Sequence, residues 1–320
     1  MMLFLLSPAK TQIEGAACAH APSAPALAGD AARVAAALAA LSPAARRELL
    51  ELSASLGAVA DARAKEWARA RTAPAAWTFD GPAYRALDAA TLPPAAVARL
   101  QASLLIIDPC YGALRALDAV APYRLEMTSR LAVGGAADLY SFWGDKIARA
   151  AASAAAAAAA PGARPVIVNT ASAEYAKAVL AHAPALGSAR VVHVRFPGAA
   201  VHAKAARGGI VRFAVTTGAT RIEHLRAFTG AAGELRFDAA ASSDDELVFV
   251  RRAAGGAAPR AAEAEAAAGA AAAPRAAKAV AVPRGKAKAA PRAAEAAAAP
   301  RAARADAAPG PSARRKRARE

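Results

Sequence analysis

The bulky apolar side chains of this chain stop at Arg252. Beyond it only Val280 and Val282 are apolar and larger than alanine, and no aromatic, Leu, Ile or Met follows. A segment this poor in large side chains cannot bury enough area to offset an ordering entropy of roughly 1–2 kcal/mol per residue. Pro259, Pro274, Pro283, Pro291, Pro300, Pro309 and Pro311 interrupt its alanine runs, and each breaks a helix interior. The expected organisation is one folded domain over residues 1–252 and a disordered, Ala/Pro/Lys/Arg-rich cationic tail over residues 253–320.

Charge divides along the same line. Of a formal net charge of +16, residues 253–320 carry +9, from 14 Lys/Arg against 5 Asp/Glu, and residues 1–252 carry +7. The densest cluster is Arg314-Arg315-Lys316-Arg317-Ala318-Arg319. A flexible polycation displaces counterions from a phosphate polymer, so the tail is expected to touch nucleic-acid phosphate. A purely solubilising role and an acidic membrane surface are the alternatives.

The apolar fraction of 56% overstates the core, because much of it is alanine, which buries a single methyl group. Cys18 and Cys110 are the only cysteines. They do not suggest a disulfide framework, and no Cys/His spacing suits zinc. No metal or cofactor site is expected. Met1–Leu6 is too short for a signal segment, and no run of about 20 bulky apolar residues exists. The expected location is cytoplasmic, with no membrane association.

Short apolar runs over Met2–Leu6, Ser103–Ile107, Val166–Val168, Arg190–Phe196, Leu235–Phe237 and Leu247–Val250 read as strands. Helices are expected from a cap at Asp30 through Leu41, from Ser42-Pro43 through Leu52, and from about Ala60 to Ala70, with a break at Ser55-Leu56-Gly57. One long helix is expected over Asp138–Ala159 and another from near Ser172. Thr220 and Glu223 read as a capping box opening a helix that ends at Gly230. Ala203–Thr217 suits a helix, with Lys204, Gly208 and Arg212 in line and Arg207 beside them. It also suits a strand, given its β-branched residues and Gly208-Gly209. Alternating elements imply α/β or α+β architecture.

Polar residues follow several expected strands. Lys10, Arg115, Asn169 and Ser172 are candidates for one shared site, since ligands of open α/β sheets bind beyond the carboxyl ends of strands. Arg124 and Glu126 share a face if their segment is extended, as a structural pair or a substrate clamp. Glu126, Asp145 and Glu174 are candidate acids or bases. The histidines are scattered, and no nucleophile elbow, phosphate loop or dinucleotide fingerprint is present. Leu52–Arg63 has the layout of a helix-hairpin-helix module, with Leu56-Gly57-Ala58-Val59 a partial match to its hairpin. Arg63, Lys65 and Arg69 supply positive charge nearby. An ordinary αα-hairpin has the same pattern.

Several segments together resemble the YaaA family of bacterial peroxide-resistance proteins. They are Leu6-Ser7-Pro8-Ala9-Lys10-Thr11, Tyr111–Asp118, Pro122–Met127, Leu139-Tyr140-Ser141-Phe142-Trp143-Gly144-Asp145, Asn169–Tyr175, Lys204–Gly208, Ser242-Ser243 and Glu246–Phe249. The resemblance implies a single α/β domain of unusual topology with a basic cleft and a helix-hairpin-helix element. It implies largely sequence-independent binding to duplex or branched DNA, and limitation of oxidative damage to DNA and protein through lowered free iron. It brings no established reaction, and it favours the helical reading of Ala203–Arg212.

Asp108-Pro109 stands where the family usually has Ser-Gly, and Ala116, Thr170 and Leu235 are further departures. On this reading Lys10, Arg63, Lys65, Arg115, Arg124, Lys204, Arg207 and Arg212 contact phosphate. An alternative is an enzyme acting on a nucleobase, nucleotide or damaged DNA, with Glu126, Asp145, Asn169 and Glu174 as candidate catalytic residues. A third possibility is weak iron binding by carboxylates.

Overall fold

A computed structural model describes residues 1–252. The expected disordered tail and its nucleic-acid contacts lie outside the described residues.

The frame is a seven-stranded sheet. Its strands are β1 (Leu3–Leu6), β2 (Leu104–Asp108), β3 (Gly112–Leu114), β4 (Val166–Asn169), β5 (Arg190–Arg195), β6 (Leu235–Phe237) and β7 (Glu246–Arg251). They lie in the order β6-β7-β5-β4-β1-β2-β3. The five inner strands are parallel, and β3 and β6 close the edges antiparallel. Leu5 pairs with Leu105 on one side and Asn169 on the other, which fixes the central register. All of β1 and β2 is buried, so these strands read as unbroken apolar runs instead of alternating ones.

Among the described residues, nine helices longer than a single turn surround this frame: α1 (Ala28–Ala40), α2 (Pro43–Leu49), α3 (Ala54–Glu66), α4 (Pro82–Leu87), α5 (Pro94–Ser103), α6 (Leu139–Trp143), α7 (Lys146–Ala158), α8 (Ala173–Leu180) and α9 (Ala200–Thr217). Alanine proves structural in α7, where Ile147, Ala148, Ala151, Ala154, Ala155 and Ala158 form one buried stripe at helical spacing. The expected α/β architecture stands, and Ala203–Thr217 is helical.

Several boundaries differ from the sequence reading. Asp30 lies inside the first turn of α1, whose cap is Leu27. The second helix stops at Leu49, and Glu51 takes a positive φ of 50°. Ser53 then caps α3 through the Leu56 amide, so Ser55-Leu56-Gly57 begins a helix where a break was expected. Leu56–Val59 is therefore not a hairpin; the turn between α2 and α3 falls at Leu50–Ser53. The expected long helix over 138–159 is two, divided at Gly144, whose φ of +48° a helix cannot accommodate. The expected capping box is absent: the Thr220 amide donates to His224 Nδ1, and Ile222–Leu225 forms a single turn.

Gly208 and Gly209, read as helix-weakening, are where α9 meets its neighbours. A Cβ on Gly208 would lie 1.7 Å from the Ala83 carbonyl oxygen, and one on Gly209 would lie 3.2 Å from the Phe228 ring. The missing side chain of Gly208 lets α9 lie directly against α4. Arg46 is another fixed point, fully buried between helices. It donates to the carbonyls of Leu38, Ala39 and Leu41 at the end of α1, and it pairs with Asp61 of α3. The last carbonyls of a helix lack intrahelical donors, and here one guanidinium from the next helix serves three at the end of α1.

Candidate functional site

Connections leave the sheet in opposite directions on either side of the β1–β4 pair. From β1 the chain crosses to β2 on one side; from β4 it proceeds to β5 and β7 on the other. Ligands of open α/β sheets bind outside the carboxyl ends of strands at such a switch point. A cavity of about 390 Å3 lies there, formed by Ser7–Thr11 after β1, Thr170–Tyr175 after β4, Asp80–Tyr84, and Lys204 and Arg207 of α9.

The loops that shape it hold one another. The Ser172 amide donates to Ser7 Oγ at 2.9 Å, the two hydroxyls are 3.2 Å apart, and the Tyr84 hydroxyl donates to the Ser7 carbonyl at 3.0 Å. A second cavity of about 390 Å3 adjoins it, lined by Lys10, Leu49–Glu51, Arg124, Glu126 and Thr128–Arg130. Lys10 lines both. Its Nζ pairs with Glu126 Oε1 at 2.6 Å, and Arg124 Nη2 reaches the same oxygen at 3.1 Å.

The segment carrying Arg124 and Glu126 is extended without belonging to a sheet. Tyr123, Leu125 and Met127 are buried, which turns Arg124 and Glu126 to the same side. The Gln12 side chain accepts from the Tyr123 amide, and the Tyr123 hydroxyl donates to Asp108.

Glu174 opens α8. Burial first, and then the nearby Glu126 charge, raise its pKa, while Lys10 and the Thr128 and Met127 amides oppose the rise. Among the described residues its Oε1 is buried without a partner, as are Arg207 Nε and Arg124 Nε. Burial lowers the pKa of the Arg207 guanidinium. Among the described residues neither Lys204 nor Arg207 has a carboxylate partner. Behind the cleft Asp108 is wholly buried at the end of β2. Burial pushes its pKa up to about 6 against the Tyr123 hydroxyl and the Tyr111 and Cys110 amides, which favour the anion.

Lys10, Arg124, Glu126, Ser172, Glu174, Lys204 and Arg207 thus come together. The other candidates are engaged elsewhere. Arg115 does not join the shared site: its guanidinium donates to the Gln101 carbonyl at 2.6 and 2.8 Å and secures the end of α5. Arg212 donates to the carbonyls of Leu87 and Asp88 at the end of α4. Asn169 spans from His193 Nδ1 to the Ala171 amide, so it shapes the turn after β4. Asp145 pairs with Arg149 at 2.6 Å on the surface, which holds its carboxyl below its usual range. Arg63 pairs with Glu14, and Lys65 with Asp61.

The sequence reading missed Ser7, Tyr84, Tyr175 and Asp108. Ser7 and Tyr175 lay inside quoted motifs, and Asp108 was named as a departure from the family pattern. Tyr84 carried no local signal. Among the described residues, no group of three or more His, Cys, Asp or Glu is placed to hold a metal ion, and no helix is long and apolar enough to cross a membrane.

These features define a mixed α/β protein with a cation-edged cleft at the switch point of its sheet. The family described as peroxide stress protein YaaA matches residues 2–241, and the chain belongs to that family. A UPF0246 protein of Polaromonas naphthalenivorans (strain CJ2) is 40% identical over 264 residues, covering 78% of this chain and 98% of the relative. UPF0246 proteins of Burkholderia mallei (strain SAVP1) and Burkholderia pseudomallei (strain K96243) are each 37% identical over 266 residues, covering 79% of this chain and 99% of the relative. Membership supports a role in peroxide stress.

Proposed function

We propose that the protein binds DNA through this cleft and protects DNA and protein from oxidative damage during peroxide stress, with lowered free iron as part of the same response. The carrying observation is Lys204 and Arg207, one turn apart on α9, both at the cleft and neither paired with a carboxylate among the described residues. Surface cations not neutralised by the protein's own acids are those free to meet phosphate. Lys10 adds a third, shared with Glu126. The net charge of +7 over residues 1–252 acts in the same sense.

Duplex DNA titrated with the full chain tests this reading. Affinity is expected to fall steeply between about 50 and 200 mM salt and to be indifferent to base sequence. Absence of binding at the lower salt overturns it.

A second reading, an enzyme acting on a nucleobase or nucleotide, is favoured by the Glu126–Glu174 pair. One carboxylate raises the pKa of the other, as in acid–base couples. Damaged DNA and nucleotides incubated with wild type and Glu174→Gln test it; no product from the wild type removes it.

A further inference from the structure

Two buried polar atoms of opposite chemistry belong to side chains lining the cavity beyond β1 and β4. Glu174 Oε1 is an acceptor and Arg207 Nε a donor, and among the described residues neither has a partner. Leaving a buried polar group unpaired is unfavourable, and a cavity occupant that paired with both atoms would relieve that. They stand on different elements, Glu174 on α8 and Arg207 on α9. Lys204 adds a second positive charge on the α9 side. The occupant therefore carries an anion for α9 and an N–H donor for α8. Pro8, Pro82, Tyr84 and Tyr175 line the same cavity and supply apolar and aromatic surface. Such surface stacks against a planar ring. The volume of about 390 Å3 lies within the roughly 300–1,000 Å3 of small-ligand sites.

We infer that the cavity takes a single nucleotide unit, with its phosphate on Lys204 and Arg207 and an N–H of its base on Glu174 Oε1. This rests on the DNA-binding reading and names what the cleft admits: one nucleotide turned out of the strand. Such a nucleotide is cheapest to extrude where stacking is already broken, at a bulge or mismatch.

The test uses the full chain and calorimetric titration with each of the four deoxynucleoside 5′-monophosphates and with 2-deoxyribose 5-phosphate. The base-less sugar phosphate controls for phosphate attraction, including that of the cationic residues beyond 252. At least one nucleotide is expected to bind about tenfold tighter than the sugar phosphate. Glu174→Ala removes that margin and leaves sugar-phosphate binding unchanged. Glu174→Gln, which retains an acceptor oxygen, keeps part of the margin and separates loss of the contact from loss of the fold. Arg207→Ala weakens both ligands. A wild type with no margin, or a margin that survives Glu174→Ala, overturns the inference. Duplex binding measured alongside distinguishes the two failures. Duplex binding without a nucleotide margin defeats this inference alone, and absence of duplex binding defeats the reading beneath it.

Discussion

Gly208 of α9 lies against Ala83 of α4 so closely that a Cβ on it would stand 1.7 Å from the Ala83 carbonyl oxygen. That approach brings Lys204 and Arg207 to the cavity that Asp80–Tyr84 also lines, so the helix crossing and the cleft have one cause. Gly208→Ala removes a residue unfavourable to helices, worth about 1 kcal/mol in an open helix. The clash is with backbone, however, and overpacking costs about 1–3 kcal/mol or more. The substitution is expected to destabilise, lowering the thermal midpoint by several degrees. An unchanged or raised midpoint would mean the helices do not cross here.

Asp108 gives the fold a pH dependence of definite sign. Its carboxyl is pushed up to about 6 in the folded chain from 3.8, so the native state holds the proton more tightly than the unfolded state. Stability therefore falls as pH rises from about 4 to about 6, by roughly 3 kcal/mol from this group, and is then constant. Asp108→Asn removes the ionisation. Urea unfolding of the two proteins across that range is expected to show a steeper fall in wild type, since the raised Glu174 and Asp118 carboxyls act in both; parallel profiles would refute it.

Arg46 satisfies three carbonyls at the end of α1 and the Asp61 carboxylate together. Arg46→Ala takes this donor from the three carbonyls and leaves Asp61 with Lys65 alone, and a loss of about 3 kcal/mol is expected in chemical denaturation. Lys65→Ala removes an exposed partner of the same Asp61 and is expected to cost less than about 1 kcal/mol. Similar losses in both variants would show that Arg46 is not the anchor.

Lys10 holds Glu174 partly in check, because its charge opposes the upward pull of burial and of Glu126. Lys10→Met is expected to raise the Glu174 pKa further and to strip Glu126 of its closest cation. Carboxyl chemical shifts followed against pH measure this directly. A Glu174 pKa that stays or falls would mean Lys10 does not act on it.

Strands were legible because burial on both faces leaves continuous runs such as Leu3–Leu6, which nothing else in the chain imitates. Helix ends were less so. Gly144 ends a helix through its positive φ, whereas Gly57 sits inside one, and their neighbours do not announce the difference. The same limit governs the site. Arg115, Arg207 and Arg212 are equivalent as letters. A nearby helix end, at Gln101 for one and at Leu87 and Asp88 for another, commits two of them to structure and leaves Arg207 to the cleft. Those carbonyls are 14 and 124–125 residues away in sequence, so only the folded chain separates the three roles. The partner of Glu126 was partly visible in Arg124, two residues earlier, but Lys10 reaches it across 116 positions of chain.

The most direct test is the salt dependence of duplex binding by the full chain, compared with a Lys204→Ala/Arg207→Ala variant and with Arg149→Ala, which removes an exposed cation outside the cleft. Each phosphate contact contributes about 0.9 to the slope of log affinity against log salt. The double variant is expected to bind more weakly with a slope shallower by about 2, and Arg149→Ala is expected to match wild type. A double variant with wild-type affinity and slope would contradict the assignment of DNA to this cleft.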